Sequence, residues 1–495
     1  MLKYLVILFF VLFLVACGNG DNGGNSSTNR PSSGTLFSSG NNSEPLNEQT
    51  NPNTPSQENG NFFYFSYDDS SSTAARDLSL FAIENGRLPH PSWGRPYEFL
   101  NAEKFTHFAP QELGPFSLSM GLYEAVDGEL PLDDEGTLYS LGVNISGPTL
   151  NRNERPNVVL TLLIDISGSM QSPYASETRN DITTLLDVVK HGLLSMEESL
   201  KSGDVVSIVS FDTSAQIELE DWHYGESGYI ERVNRLHTQG STNLNAGIDL
   251  AYTVAMRNFD DTKANRVIIL TDAYANTGVI DPSVIAKRTV IDGKEGILFA
   301  GIGIGANFDD AFLNELTEAG KSVYSAMITP SDAERIFTNG FSRFIDHAVE
   351  DVLFKLEYPS SLNHLHSAAE ETSQNKNDIS TINFAYNSEQ LFLEVFSSET
   401  GPLPTEEITL EISYKSDNGE TQTIEINQEA QKLLNNGVNE IIAASTVTAL
   451  ARLISGEINC ATVQSSGLYS RNIDHAVFTK YKEAIRNLCA MAPSL

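Results

Sequence analysis

The chain has 495 residues, of which 40% are hydrophobic, enough to bury two or three domain cores. Its 31 basic residues face 65 acidic ones, a formal net charge of -34. A field of that sign repels nucleic acid and anionic lipid surfaces, so neither is expected as a partner.

The first element is an N-terminal address. Lys3 is followed by an apolar run from Leu5 to Val15 that ends in Leu14-Val15-Ala16-Cys17. The run is too short to span a bilayer and has the shape of a secretory signal. Cys directly after Leu-Val-Ala resembles the lipobox of bacterial lipoproteins. That resemblance implies a lipoprotein signal over residues 1–17, cut just before Cys17 so that Cys17 becomes the lipidated first residue, and anchoring to the envelope membrane. Gly18 in the next position resembles the pattern that sorts such proteins to the outer membrane, on its periplasmic face or at the cell surface.

Residues 18–60 are Gly, Asn, Ser, Pro and Thr with few large apolar side chains, which reads as a flexible tether. Residues 61–155 are mixed. Ser72 to Asn85 has helical spacing and stops at Gly86, while Phe116–Met120 and Leu138–Ile145 alternate apolar and polar as half-buried strands do. From 156 to 350, strands and helices alternate. Val158–Ile164, Val205–Phe211, Ala215–Leu219, Arg266–Thr271 and Ile297–Ile304 read as strands. Ile182–Leu200, Tyr229–Leu236, Ala246–Met256 and Ala333–Ala348 read as helices. This alternation predicts an α/β fold, a doubly wound and mostly parallel sheet with helices on both faces.

Residues 351–430 return to short strands: Leu353–Tyr358, Ile382–Tyr386, Leu391–Phe396, Ile408–Tyr414 and Gln422–Ile426, the last two joined by a hairpin at Asn418-Gly419. Strand-like sequence on both sides predicts that the α/β domain is inserted into a β-rich domain built from both flanks. Residues 431–495 close the chain with helices over Val438–Ile454 and Ile473–Leu488. Cys460 and Cys489 would share an oxidising compartment after export; a disulfide and two buried thiols are the alternatives.

Chemistry concentrates at the end of the first buried strand. Asp165-Ile166-Ser167-Gly168-Ser169 leaves its carboxyl end, the edge at which open α/β sheets bind ligands. Asp165, Ser167 and Ser169 alternate and can turn three hard oxygens toward one point, which suits Mg²⁺ without closing its shell. Thr242, in Gly240-Ser241-Thr242-Asn243, offers another hydroxyl, and Asp272 ends the strand Arg266–Thr271 with a second carboxylate. DISGSM, then GSTN, then ILTDA resembles the von Willebrand factor type A domain over roughly 190 residues. The motif of that family is a metal-ion-dependent adhesion site, D-x-S-x-S, then T, then D.

The resemblance implies a Rossmann-like sheet with one antiparallel edge strand, for which Ala215–Leu219 is the candidate. It also implies a metal site of Asp165, Ser167, Ser169, Thr242 and Asp272. Ser167, Ser169 and Thr242 are expected to bind directly, and the two Asp directly or through water. Mg²⁺ is the expected ion, Mn²⁺ or Ca²⁺ the alternatives. An Asp or Glu of a partner protein would take the remaining position, in adhesion or envelope scaffolding without catalysis. Ala273 departs from the Gly common at that position. The flanks, FSYDDSSSTAARDL and LEISYKSDNGE to STVTALARL, resemble those of one group of bacterial lipoproteins.

Other signals are weaker. Gly301-Ile302-Gly303-Ile304-Gly305 lacks dinucleotide-binding spacing. A hydrolase would need a base, and no His lies in the motif loops; His223 and His237 are nearest in sequence. His364-Leu365-His366 reads as a solvated loop. A structural envelope lipoprotein that binds partners without metal gating remains the alternative class. An arrangement in which the helix Ala333–Ala348 shifts on ligand binding is a further expectation.

Overall fold

The computed structural model describes residues 61–66, 72–106, 108–126, 128–132, 136–174, 181–272, 296–318, 323–345, 347–402, 405–416 and 419–492. The Cys17 motif, the tether, Ala273 and Asn418 lie outside the described residues.

The strands before the central sheet are β1 (Asn61–Ser66), β2 (Gln111–Leu113), β3 (Phe116–Glu124) and β4 (Thr137–Ser146). The central sheet uses β5 (Val158–Asp165), β6 (Val205–Phe211), β7 (Ala215–His223), β8 (Ala264–Thr271), β9 (Ile297–Ile304) and β10 (Val323–Met327). After it come β11 (His347–Tyr358), β12 (Asn363–Ser367), β13 (Glu371–Ser373), β14 (Ile382–Ala385), β15 (Glu389–Ser398), β16 (Glu407–Lys415) and β17 (Thr421–Glu429).

The central order is β10-β9-β8-β5-β6-β7, parallel throughout except for the antiparallel edge strand β7. β5 lies between β8 and β6, and all eight of its residues are buried, which is why its sequence is a continuous Val/Leu/Ile run rather than an alternation. Helices Leu185–Met196 and Pro330–Phe337 cover one face, Leu244–Arg257 and Asp310–Glu318 the other.

The flanks pair with each other across the central domain. β1 lies antiparallel to β11 (Phe63 opposite Leu356), and β4 to β15 (Val143 opposite Phe392), giving sheets ordered β13-β1-β11-β16-β17 and β12-β15-β4-β3-β2. Both sheets, with the helices Val438–Ser455 and Ala476–Met491, enclose one apolar core. Val438–Ser455 is long and apolar enough to cross a membrane by composition, but 72% of it is buried within the protein. The helix Ala74–Glu84 joins the two bodies. Ala74 and Leu78 enter a core of the central sheet, and Leu80 and Ile83 enter the flank core. Cys460 and Cys489 form a disulfide with Cα atoms 5.6 Å apart, tying Cys460–Ser465 to Ala476–Met491.

Four expectations are corrected. β3 and β4 are buried on both faces, not half-buried, because the helix Val438–Ser455 and the turn before it cover the second face. Gly121 and Gly142 oppose each other there, and a Cβ would lie 2.2 Å from the Asn436 carbonyl oxygen at Gly121 and 2.8 Å from Ile441 Cγ1 at Gly142. The helix expected over Ala333–Ala348 is Pro330–Phe337. A Thr329/Asp332 capping box starts it, Gly340 N–H closing onto the Arg335 carbonyl ends it, and β11 begins by His347. The terminal helix starts at Ala476 rather than Ile473, because His475 caps it by accepting from Phe478 N–H. His364 and His366 sit on strand β12, not a solvated loop. His364 Nε2 is 2.9 Å from Glu394 Oε2, and its ring stacks on Phe63 at 4.4 Å.

Candidate metal centre

Asp165 is the last residue of β5 and is fully buried. Its Oδ1 accepts from Ser167 N–H at 2.8 Å, and its Oδ2 accepts from the Thr271 hydroxyl at 2.6 Å. Ile166 N–H donates to the Phe211 carbonyl, and the Ile166 carbonyl accepts from Gln239 N–H at 2.7 Å. The chain therefore turns sharply over neighbouring strand ends. The Ser167 and Ser169 hydroxyl oxygens come to 3.0 Å, Ser167 buried and Ser169 half-buried. The opening of the site is on the Ser169 side.

Thr242 is buried on the loop before the helix Leu244–Arg257. Gly168 N–H donates to the Gly240 carbonyl at 3.2 Å, bringing this loop against the Asp165 loop. Asn243 fixes its far end, accepting on its side chain from Ala246 N–H and donating its own N–H to the Asp212 carbonyl at 2.7 Å. Asp272 follows β8 directly, is buried, and its carbonyl accepts from Asp309 N–H at 3.1 Å. The five expected positions thus gather at one edge: Asp165, Ser167 and Ser169 in direct succession, Thr242 through its loop, and Asp272 as the charge that acts on Asp165.

Burial first, and the Asp272 charge second, push the Asp165 carboxyl up to about 6, against the hydrogen bonds from Thr271 and Ser167 that favour its ionised form. Two buried carboxylates that repel each other, beside three hydroxyls, form a hard-oxygen donor set that fits a divalent cation such as Mg²⁺. Among the described residues no group of three or more His, Cys, Asp or Glu could hold a metal, so a cation here needs the hydroxyls as well as the two Asp.

Two contributors were missed in the sequence. Thr271 was read as a strand terminus, yet its hydroxyl holds Asp165. Asp212 carries the Thr242 loop by its carbonyl and holds its own turn by accepting from Ser214 N–H at 2.8 Å. The signal for the second was Asp212-Thr213-Ser214 at an adjacent strand end, an Asx-turn pattern. Gly240 has φ +66°, and a Cβ there would come within 2.7 Å of Thr213 Oγ1. His223 is at the other end of the sheet, opposite Val205 at the start of β6. Gly303 within Gly301–Gly305 leaves room for Phe308, whose ring would be 2.5 Å from a Cβ there.

Residues 160–275 match the family model described as von Willebrand factor type A domain. The chain is 27% identical over 286 residues to the uncharacterized protein YfbK of Escherichia coli (strain K12), covering 56% of this chain and 47% of that protein. It is 24% identical over 213 residues to inter-alpha-trypsin inhibitor heavy chain H3 of Mus musculus, covering 41% of this chain and 22% of that one. The match thus spans about half the length of the first of these relatives and under a quarter of the second. Among solved structures, a von Willebrand factor type A protein from Catenulispora acidiphila covers 78% of this chain and 92% of its own, with TM-score 0.43 and 15% identity. The family match falls on the segment that carries β5, the Thr242 loop and β8: this chain contains a von Willebrand factor type A domain.

Proposed function

We propose that this is a membrane-anchored, extracytoplasmic binding protein that holds a divalent cation at Asp165, Ser167, Ser169, Thr242 and Asp272 and uses it to bind a carboxylate of a partner protein. The observation that carries this reading is the pair of buried carboxylates, Asp165 and Asp272, set among hydroxyls at the open edge of the sheet. Mg²⁺ is the expected ion, with Mn²⁺ or Ca²⁺ as alternatives. The bound ion would supply a local positive charge and a position for one Asp or Glu of the partner. The chain's own residues do the rest: Thr271 and Ser167 N–H orient Asp165, and the Gly168–Gly240 hydrogen bond keeps Thr242 beside it.

Binding, not hydrolysis, is the reading. Among the described hydrogen bonds neither the Ser167 nor the Ser169 hydroxyl meets a histidine, which supports binding over hydrolysis. The lipobox-like Cys17 supports a lipid anchor in the bacterial envelope, at the outer membrane, with adhesion or scaffolding as the role.

The test is capture from envelope extract by the full chain in Mg²⁺, Mn²⁺ and EDTA, beside the Asp165→Ala protein. A partner retained with metal and lost in both EDTA and the variant is the expected outcome. A partner retained in every lane would overturn metal-bridged binding and move the function to other surfaces.

A further inference from the structure

The proposed centre opens into a cleft of ≈ 410 Å³ walled by both bodies of the chain. Ser169 and Asp272 line it at the strand ends, and Tyr174, Leu185 and Phe308 add apolar surface from the central domain. The remaining wall is foreign to that domain: Phe81, Asn85 and Arg87, from the helix Ala74–Glu84 and the turn after it.

That helix is fixed in place. Thr73 N–H donates to the Tyr324 carbonyl at 3.3 Å, Asp77 takes Arg335 of the helix Pro330–Phe337 at 3.2 Å, and Ala74 and Leu78 are in the core of the central sheet. Gly86 (φ +67°) turns the chain, and Arg87 N–H closes onto the Ala82 carbonyl at 2.8 Å, so the position of Arg87 is set by backbone.

Its guanidinium is a different matter from its neighbours'. Arg76 is bound by Asp77 and Glu103, and Arg95 by Glu98 and Asp310. Arg87 is exposed and makes no ion pair with any described residue, in a chain of net charge -34. Leu88, beside it, is 56% exposed. A cation with no carboxylate partner among the described residues, held at the wall of a cleft that also presents Phe81, Tyr174 and Phe308, is complementary to an anion brought from outside.

We infer that the cleft receives an acidic segment of a partner protein that carries two carboxylates. One goes to the Asp165–Asp272 centre and the other to Arg87, with an apolar side chain between them against Phe81, Tyr174 and Phe308. This rests on the metal-centred reading above and adds to it a specificity element supplied by the flank, not by the von Willebrand factor type A domain itself.

The probe is a display library of random dodecapeptides, panned in Mg²⁺ on the full chain, on Arg87→Glu and on Asp165→Ala, with melting curves as the check of folding. The sequences expected on the unaltered chain carry two acidic residues flanking an apolar one. A synthetic peptide of that sequence should bind Arg87→Ala about five-fold more weakly, as expected for a partly exposed charge pair. Arg87→Glu should replace one acidic position by Lys or Arg. Loss of binding in EDTA and in Asp165→Ala together with indifference to both Arg87 variants would overturn this inference and leave the metal reading standing. Binding that survives EDTA and Asp165→Ala would overturn the metal reading, and no acidic enrichment on the unaltered chain would overturn both.

Discussion

The buried carboxylates of the flank body that meet an arginine and those at the carboxyl edge of the central sheet are treated in opposite ways. Glu98 meets Arg95 at 2.6 Å, Glu103 meets Arg76 and Lys480, and Glu129 meets Arg471. Burial alone would raise Glu103, but Arg76 and then Lys480 hold it below the ordinary carboxylate range. Asp204, at the amino edge of the central sheet, is likewise paired with Arg155. Asp165 is as deeply buried as these, and the charge that acts on it is another carboxylate, so it is pushed up instead. Arginine or lysine neutralises Glu98, Glu103, Glu129 and Asp204 from within, whereas Glu394 of β15, bonded to His364 and Ser367, is raised by burial. At the carboxyl edge the molecule leaves repulsion that a cation from outside would relieve.

The largest way to break this comparison acts on the flank. Gly121 and Gly142 form the seat for Asn436 and Ile441, and a side chain at Gly121 meets backbone that cannot move aside cheaply. Gly121→Val is expected to cost about 3 kcal/mol or more, by overpacking and by displacing the turn before the helix Val438–Ser455. Denaturant melts would read it. A loss below about 1 kcal/mol would mean that the helix seat is soft.

That pair of glycines marks where the sequence stopped being legible. The placing of the candidate positions at one sheet edge was readable because each motif is local. A continuous apolar run identifies β5, and Asp165 to Ser169 is one short loop whose chemistry is on its surface. The central sheet follows from the alternation of strands and helices. The seat at Gly121 and Gly142 depends instead on a helix some 300 positions later, and the burial of Ser140 and Asn144 depends on the same cover. No alternation rule over a few residues carries that information, so β3 and β4 looked half-exposed. The helix expected over Ala333–Ala348 was misplaced in its bounds rather than its existence: the capping box at Thr329 and Asp332 and the Gly340 stop, both local, set it at Pro330–Phe337.

Acid separates the two regions next. His366 in the flank is lowered to about 4, by burial first and then by the Arg452 charge, and its Nε2 has no hydrogen-bond partner among the described residues. Its folded value lies below the unfolded one of about 6.5, so the neutral form is favoured. The stability it contributes is complete above that unfolded value and is lost as pH falls toward 4, on the order of 2 kcal/mol by pH ~4.5. His366→Gln should therefore lose less stability than the unaltered chain between neutral pH and pH ~4.5. Equal losses in the two proteins would show that the imidazole is charged without penalty.

Asp165 has the opposite sign, and this sharpens the comparison most finely. Its folded value of about 6 lies above the ordinary one of 3.8, so its contribution is complete below 3.8 and is lost as pH rises through about 6. In metal-free buffer above that range the site costs the fold energy that Asp165→Asn would restore. The gain is partly offset because the hydrogen bonds from Thr271 and Ser167 N–H favour a carboxylate. A net gain of about 1–2 kcal/mol is expected, smaller than the full shift implies. Saturating Mg²⁺ should reverse the order. At one hundred times its dissociation constant the ion would add about 2.7 kcal/mol to the unaltered protein and little to Asp165→Asn. Melting curves of both proteins in EDTA and in Mg²⁺ at pH ~7.5 read both halves at once. If Asp165→Asn is the less stable protein in EDTA, the carboxylate serves the fold as Asp204 and Glu103 do, and the contrast between the two regions fails.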